Sequence, residues 1–153
     1  MAIFDKLYLT TDLSEEQSLT LFFQCLGFEA DVSYHEQDLS NPFAEARKPD
    51  SFVAYAKRLK AESYKPTELG INPTVAIDFR LQKWHIAQEE IMNATNRLLE
   101  RTNWDIALVH GDSVVILVRK ERNLILNKNS GFWTPERIAM ISLPFEFQEM
   151  ANL

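Results

Sequence analysis

The densest group of chemically active side chains in the sequence lies in "DFRLQKWH", residues 78–85. Asp78 and Arg80 fall on the same face of a predicted strand, and Lys83 and His85 follow directly. An acid, a base and a histidine at this spacing could form the polar site of a small enzyme or a ligand-binding domain. The competing interpretation is a solvated sheet face with a cross-strand ion pair, a face that an antiparallel sheet needs in any case.

Other signatures of catalysis or of cofactor binding are absent from the sequence. The histidines His35, His85 and His110 have no partner at the spacing of metal ligands, and a single cysteine, Cys25, excludes a cysteine-based zinc site. Cys25 lies in an apolar helical stretch, which favours a buried core thiol over a nucleophile. The sequence therefore predicts no catalytic residue, no metal and no cofactor.

The aromatic pair in "NSGFWTPER", residues 129–137, could serve as a stacking platform for a ligand. Binding of single-stranded nucleic acid would need a basic groove beside Phe132 and Trp133, and this stretch contains few lysine and arginine residues. Thr134 is instead a good helix N-cap, and Pro135 occupies the favoured first helical position. The pattern predicts a short closing helix whose start is fixed by a hydrophobic staple between Trp133 and Ile138.

The net charge of −6 is concentrated in the first third of the chain. Residues 1–50 contain ten acidic and three basic residues, a balance of −7, whereas the remainder contains twelve acidic and thirteen basic residues, a balance of +1. This distribution argues against direct binding of nucleic acid, which requires clustered lysine and arginine. It is compatible with a basic protein partner, although a solvated acidic face that only aids solubility would give the same pattern.

The sequence also bears on the compartment. No apolar run approaches the roughly 20 residues of a membrane span, and the N-terminus lacks the pattern of a signal peptide. The expectation is a cytoplasmic protein without a membrane partner.

Hydrophobic periodicity predicts the elements that position these residues. A helix begins at a capping box formed by Ser14 and Gln17 and stops at Gly27, and a second, longer helix covers residues 84–102. Strands are predicted at 3–11, 29–37 (weakly), 74–83, three times within 105–128, and at the C-terminus. Residues 38–50 read as an aperiodic loop. For residues 50–63 helical propensity favours a helix capped by Asp50, although a strand fits the same letters at period two.

These elements predict one α+β domain over residues 1–153. Its mainly antiparallel β-sheet would carry two main helices packed on it and a short C-terminal helix.

The C-terminal half resembles a known family in the order and spacing of its motifs. "NPTVAIDFRLQK", a long helix, the hairpin "VVILVRKERNLILN", and then "FWTPER" and "LPFEF" are similar to the swarming-inhibition toxin immunity proteins of bacteria. The resemblance covers roughly residues 66–147, whereas the first 65 residues match only in outline. The motif residues look like core and capping positions: Phe79, Leu81, Leu126, Trp133, Pro135 and Leu143.

The resemblance implies a cytoplasmic antidote that binds a cognate toxin domain and has no catalytic residues. Specificity would then lie outside the shared framework, in residues 28–65, where the acidic excess coincides with the aperiodic loop. The predicted toxin-binding residues are Asp31, Glu36, Asp38 and Glu45, and the expected partner is a toxin with a basic cleft, such as a nuclease. The alternatives are a small enzyme or ligand-binding domain around Asp78, Arg80 and His85, and an oligomeric structural protein.

Overall fold

The computed structural model describes residues 3–36, 41–61 and 63–153. Its strands are β1 (Ile3–Leu9), β2 (Ser33–His35), β3 (Phe43–Lys48), β4 (Phe52–Arg58), β5 (Val75–Leu81), β6 (Ile106–His110), β7 (Val114–Lys120), β8 (Asn123–Asn127) and β9 (Glu146–Gln148). Its α-helices are α1 (Glu15–Leu26), α2 (Trp84–Arg101) and α3 (Pro135–Ile138), and a 3-10 turn covers Thr67–Leu69. The predicted α+β class, with two main helices and a short C-terminal one, is confirmed.

All nine strands of the described chain form one sheet in the order β2-β3-β4-β5-β1-β6-β7-β8-β9. Every neighbouring pair is antiparallel except β8 and β9, which run parallel. The N-terminal strand β1 lies at the centre, between β5 and β6. Residues far apart in the chain therefore become neighbours across β1.

Helices α1 and α2 pack on one face of the sheet and on each other. The main core lies between these layers and includes a cluster of four aromatic rings, Phe22, Phe23, Phe52 and Phe79. A smaller apolar cluster lies on the opposite face, where the C-terminal segment packs through Met150 and Leu153. The backbone N–H of Leu153 donates to the carbonyl of Ser113 at 2.8 Å and so fixes that segment.

Two predictions for residues 38–63 are wrong. The predicted aperiodic loop contains strand β3, and the predicted helix at 50–63 is strand β4. Phe52, Ala54 and Ala56 face the helices at period two, and β4 is paired on both sides, by β3 and β5. Strand pairing at both edges and burial of one face against the helices outweigh the local helical propensity of this alanine- and lysine-containing stretch. Asp50, the predicted helix cap, lies in the β3–β4 turn with a left-handed φ of 62°.

The ends of α1 follow the sequence prediction. Ser14 Oγ accepts from the Gln17 backbone N–H at 3.1 Å, and the Ser14 N–H donates to Gln17 Oε1 at 3.0 Å. Gly27 closes the helix with a φ of 78°, a conformation that suits glycine. The capping box was visible in the sequence because both partners lie within one helical turn.

Replacement of Ser14 by alanine is expected to lower the free energy of unfolding by about 1 kcal/mol, because the Gln17 N–H loses its acceptor. Equilibrium urea denaturation followed by circular dichroism measures this change. Gln24→Ala, at an exposed position of the same helix, is the control and should remain within about 0.5 kcal/mol of wild type. Equal midpoints for the two variants would show that the cap contributes nothing.

Candidate functional site

The predicted acidic residues that the structure describes gather on the β2–β3 hairpin at one end of the sheet. Asp31 precedes β2, Glu36 follows it, and Glu45 lies on β3 opposite Ser33. Asp31 and Glu36 are exposed, and the side chain of Glu45 is 30% exposed. Asp38 lies outside the described residues. The sequence showed only an excess of acidic residues in this region. The structure places three of the carboxylates on one hairpin, which is called the acidic hairpin below.

The hairpin carries aromatic rings beside these carboxylates. The His35 ring stacks on Phe43 with their centroids 4.8 Å apart, and Phe43 meets Tyr55 of β4 edge-on at 5.9 Å. His35 Nε2 lies 3.9 Å from Glu45 Oε1, a distance at which a protonated imidazole would form an ion pair. Strand β2 is the terminal strand of the sheet, and its three residues are all exposed. This surface combines negative charge with exposed rings, a composition suited to contact with a protein.

The alternative cluster of Asp78, Arg80 and His85 is not assembled. Asp78 lies on the sheet face opposite the helices and pairs with Lys57 Nζ at 2.9 Å, while Arg80 is exposed on the same strand. His85 belongs to the first turn of α2, on the other side of the sheet. Asp78 and Arg80 share one face of β5, but the chain then enters α2 on the opposite face, so the sheet separates His85 from them. The geometry does not favour a joint site for these three residues.

Asp78 lies instead in the same cross-strand row as Glu45 of the acidic hairpin. Cross-strand partners place Glu45, Tyr55, Asp78 and Lys6 in one row across β3, β4, β5 and β1. These residues share the face that lies away from α1 and α2. The sheet face that the sequence predicted to carry a cross-strand ion pair is present, and Lys57 and Asp78 form that ion pair.

Sequence inspection missed a close polar pair, Asp5 and His110. Asp5 Oδ1 lies 2.6 Å from His110 Nδ1, and Asp5 is only 2% exposed. Burial raises the pKa of the Asp5 carboxyl, although its hydrogen bond with His110 and the charge of that ring act in the opposite direction. One indication was present in β1, where Asp5 alternates with Leu7 and Leu9 at period two and so lies on the same buried face of the strand. Its partner lies 105 residues away, and no local spacing could reveal it.

Cys25 is fully buried in the main core, as predicted. Burial raises the pKa of its thiol, while Arg101 and Arg97 oppose that shift. Arg97 Nη1 donates to the Cys25 carbonyl at 2.8 Å and so ties the end of α1 to α2. The thiol is a packing group in this environment.

The aromatic pair of the closing segment belongs to the framework. Trp133 Nε1 donates to the Ile116 carbonyl at 3.2 Å, and Phe132 is buried with the Arg137 guanidinium 4.1 Å from its ring centroid. Thr134 Oγ1 accepts from the Arg137 N–H at 3.2 Å, which confirms the predicted cap. Trp133 also packs against the main core.

Within residues 3–36, 41–61 and 63–153 no group of three or more His, Cys, Asp or Glu residues could hold a metal ion. No helix formed by the described residues is both long and apolar enough to cross a bilayer.

Comparison with known protein families gives a match over most of the chain. The family model described as SitI3-like matches residues 5–137. This match agrees with the resemblance found in the motifs and extends further toward the N-terminus. No curated protein and no solved structure matches the chain.

Proposed function

Because the chain belongs to the SitI3-like family, a family of swarming-inhibition toxin immunity proteins, we propose that it neutralises a cognate bacterial toxin domain by binding and covering it. Family membership favours binding over catalysis. The dispersal of Asp78, Arg80 and His85 is consistent with that preference, since no shared site forms there. The proposal places the protein in the cytoplasm, where an incoming toxin would meet it.

The β2–β3 hairpin is the surface proposed to meet the toxin. Its carboxylates are those of Asp31, Glu36 and Glu45, and Asp38 joins them by its place in the chain alone. The observation that carries this assignment is the convergence of the described acids on a terminal hairpin with exposed rings. A toxin with a basic cleft, such as a nuclease, has the complementary charge.

Charge at this hairpin is expected to act mainly on the association rate. A negative patch accelerates the encounter with a positive partner, and the acceleration decreases with added salt because mobile ions screen exposed charges. Occlusion of the toxin would then depend on close contacts at the centre of the interface rather than on the charges at its rim.

Reversal of the four acids to lysine (Asp31, Glu36, Asp38 and Glu45) is expected to slow association with the toxin about tenfold or more at low salt. Stopped-flow or surface plasmon resonance against the purified toxin domain measures this rate over a salt series. The matched control reverses Glu68, Asp112, Glu146 and Glu149, which lie elsewhere on the molecule. Equal association rates for the two variants would remove the hairpin from the interface.

A rescue assay tests the function itself. The partner to use is the variable C-terminal domain encoded by an open reading frame immediately upstream. Cells that express this domain should stop growing alone and should recover when this chain is co-expressed. A toxic upstream domain that remains toxic in the presence of the chain would contradict the proposed function.

A further inference from the structure

A cavity of about 350 Å³ opens between the start of α2, strands β6 and β7, and the loop before α3. Its apolar wall is formed by Val114, Ile116 and Phe132. Its polar lining includes Gln88, His110 and Ser130, and Trp84 also contributes to the lining. The acidic hairpin lies on β2 and β3, away from these elements in the strand order. The cavity is therefore a second surface feature, distinct from the proposed electrostatic one.

Two histidines, His85 and His110, line this cavity, and the buried carboxylate of Asp5 orients His110. Asp5 Oδ1 lies 2.6 Å from Nδ1 of His110, a distance at which an ionised carboxylate accepts a hydrogen bond from the ring N–H, and Gln88 Nε2 lies 3.3 Å from the same nitrogen. The His110 side chain remains 39% exposed. With the ring proton held on Nδ1, Nε2 of the neutral imidazole is a hydrogen-bond acceptor. Among the described residues, none forms a hydrogen bond with Nε2.

The charges around the cavity restrict which kind of ligand can donate a hydrogen bond to His110 Nε2. Arg137 lines the cavity and is paired with Glu89 through Nε at 3.0 Å, and its Nη1 donates to the Phe132 carbonyl at 2.7 Å. A guanidinium in the wall disfavours an ammonium ligand through like-charge repulsion. The apolar wall favours a ring over a small polar group, since a ring buries more apolar surface. A neutral ring with one hydroxyl donor meets both conditions.

We propose that this cavity is an anchoring pocket for a tyrosine side chain of the toxin domain, an assignment that rests on the proposed function for the source of the tyrosine. The phenol ring packs against Ile116 and Phe132, and its hydroxyl donates to His110 Nε2. Tyrosine is among the residues that dominate the energetics of protein interfaces, where it fills a desolvated pocket.

The first turn of α2 supports a protein as the source of the ring. Trp84 is 45% exposed and Ile86 is 50% exposed. Residues 82–86 are all exposed, so this turn extends beyond the packed layers. Exposed large apolar side chains beside a pocket are typical of a protein-binding surface.

Titration of the isolated protein with p-cresol, the tyrosine side-chain analogue, tests the chemistry of the pocket. Heteronuclear NMR should show saturable shifts at the Trp84 indole, with an affinity on the order of millimolar for a ligand of this size. Toluene should bind about fivefold more weakly because it lacks the hydroxyl. In His110→Asn, whose amide can still donate to Asp5, the affinity for p-cresol should fall to about that of toluene, and in His35→Asn it should be unchanged. Equal binding of toluene, stronger binding of n-butylammonium, or no saturable shift would overturn the assignment.

Binding to the toxin domain tests the source of the ring. Trp84→Ala removes an exposed side chain and is expected to weaken this binding about tenfold, mainly through faster dissociation. Unchanged affinity in Trp84→Ala and His110→Asn would overturn the inference and leave the proposed function intact. If the wild-type chain fails to bind or rescue, the proposed function fails, and the p-cresol titration still decides the chemistry of the pocket.

Discussion

Replacement of Arg119 by methionine is expected to lower the free energy of unfolding by about 3 to 5 kcal/mol. The Arg119 side chain is 5% exposed and forms hydrogen bonds at the end of α2. Its guanidinium donates to the carbonyls of Leu99 at 2.7 Å, Thr102 at 3.0 Å and Trp104 at 2.9 Å. These groups belong to the last turn of the helix and the segment that follows it, where carbonyls have no partner within the helix.

The physical reason for this large effect is that buried carbonyls at the end of α2 lose their hydrogen-bond donors. Methionine fills much of the volume of arginine but provides no donor, so several carbonyls at the end of α2 would be left without their partner in a buried region. Burial lowers the pKa of the guanidinium, because removing a charge from water is unfavourable. Those hydrogen bonds must therefore offset the cost of burying the charge.

Equilibrium urea denaturation of Arg119→Met, compared with Arg80→Met, measures this effect. Arg80 is exposed on β5, so the free energy of unfolding of Arg80→Met should remain within about 0.5 kcal/mol of wild type. Arg119→Lys should fall between the two, because one ammonium cannot reproduce the planar arrangement of the guanidinium donors. Similar midpoints for Arg119→Met and Arg80→Met would show that Arg119 does not stabilise the end of α2.

Replacement of Phe22 by alanine is expected to lower the free energy of unfolding by about 3 to 5 kcal/mol as well. Phe22 is fully buried on α1, and its ring centroid lies 4.9 Å from that of Phe79 and 6.3 Å from that of Phe52. The substitution removes a ring at the junction of α1, β4 and β5, and the surrounding rings can relax only in part. A cavity therefore remains, and its cost adds to the lost transfer free energy.

Two comparisons make the Phe22→Ala measurement specific. Phe22→Leu retains most of the apolar volume and should cost markedly less than alanine. Tyr64→Ala, at a position that is 74% exposed, should have little effect. If Phe22→Ala and Tyr64→Ala unfold at the same urea concentration, the aromatic cluster is not the centre of the core.

Loss of stability on this scale should also reduce protection of the cell. A natural domain is stable by about 5–15 kcal/mol, so either substitution removes a large share of that margin. The folded fraction and the abundance of the protein would fall together. A variant of the acidic hairpin should instead keep its stability and lose association rate, so the two kinds of change can be separated.

The elements with strong local signals were predicted correctly from the sequence. The capping box of Ser14 and Gln17, the Gly27 stop, and the cap at Thr134 all depend on contacts within a single turn. Strand β5 and helix α2 were also predicted because their periodicity extends over several turns or alternations. The order of the motifs from β5 onward was sufficient to indicate the family, and the family match confirms it.

Only the tertiary structure decided features that depend on distant partners. Strand β4 forms because β3 and β5 pair with both of its edges, and no property of residues 52–58 alone contains that information. Asp78 and His85 are separated by the sheet although seven positions apart, whereas Asp5 and His110 meet because β1 pairs with β6. The sequence by itself determined the helix caps, the strongly periodic elements, the acidic excess and the family. The fold decided which side chains share a surface, because strand pairing and burial bring together residues that no short spacing connects.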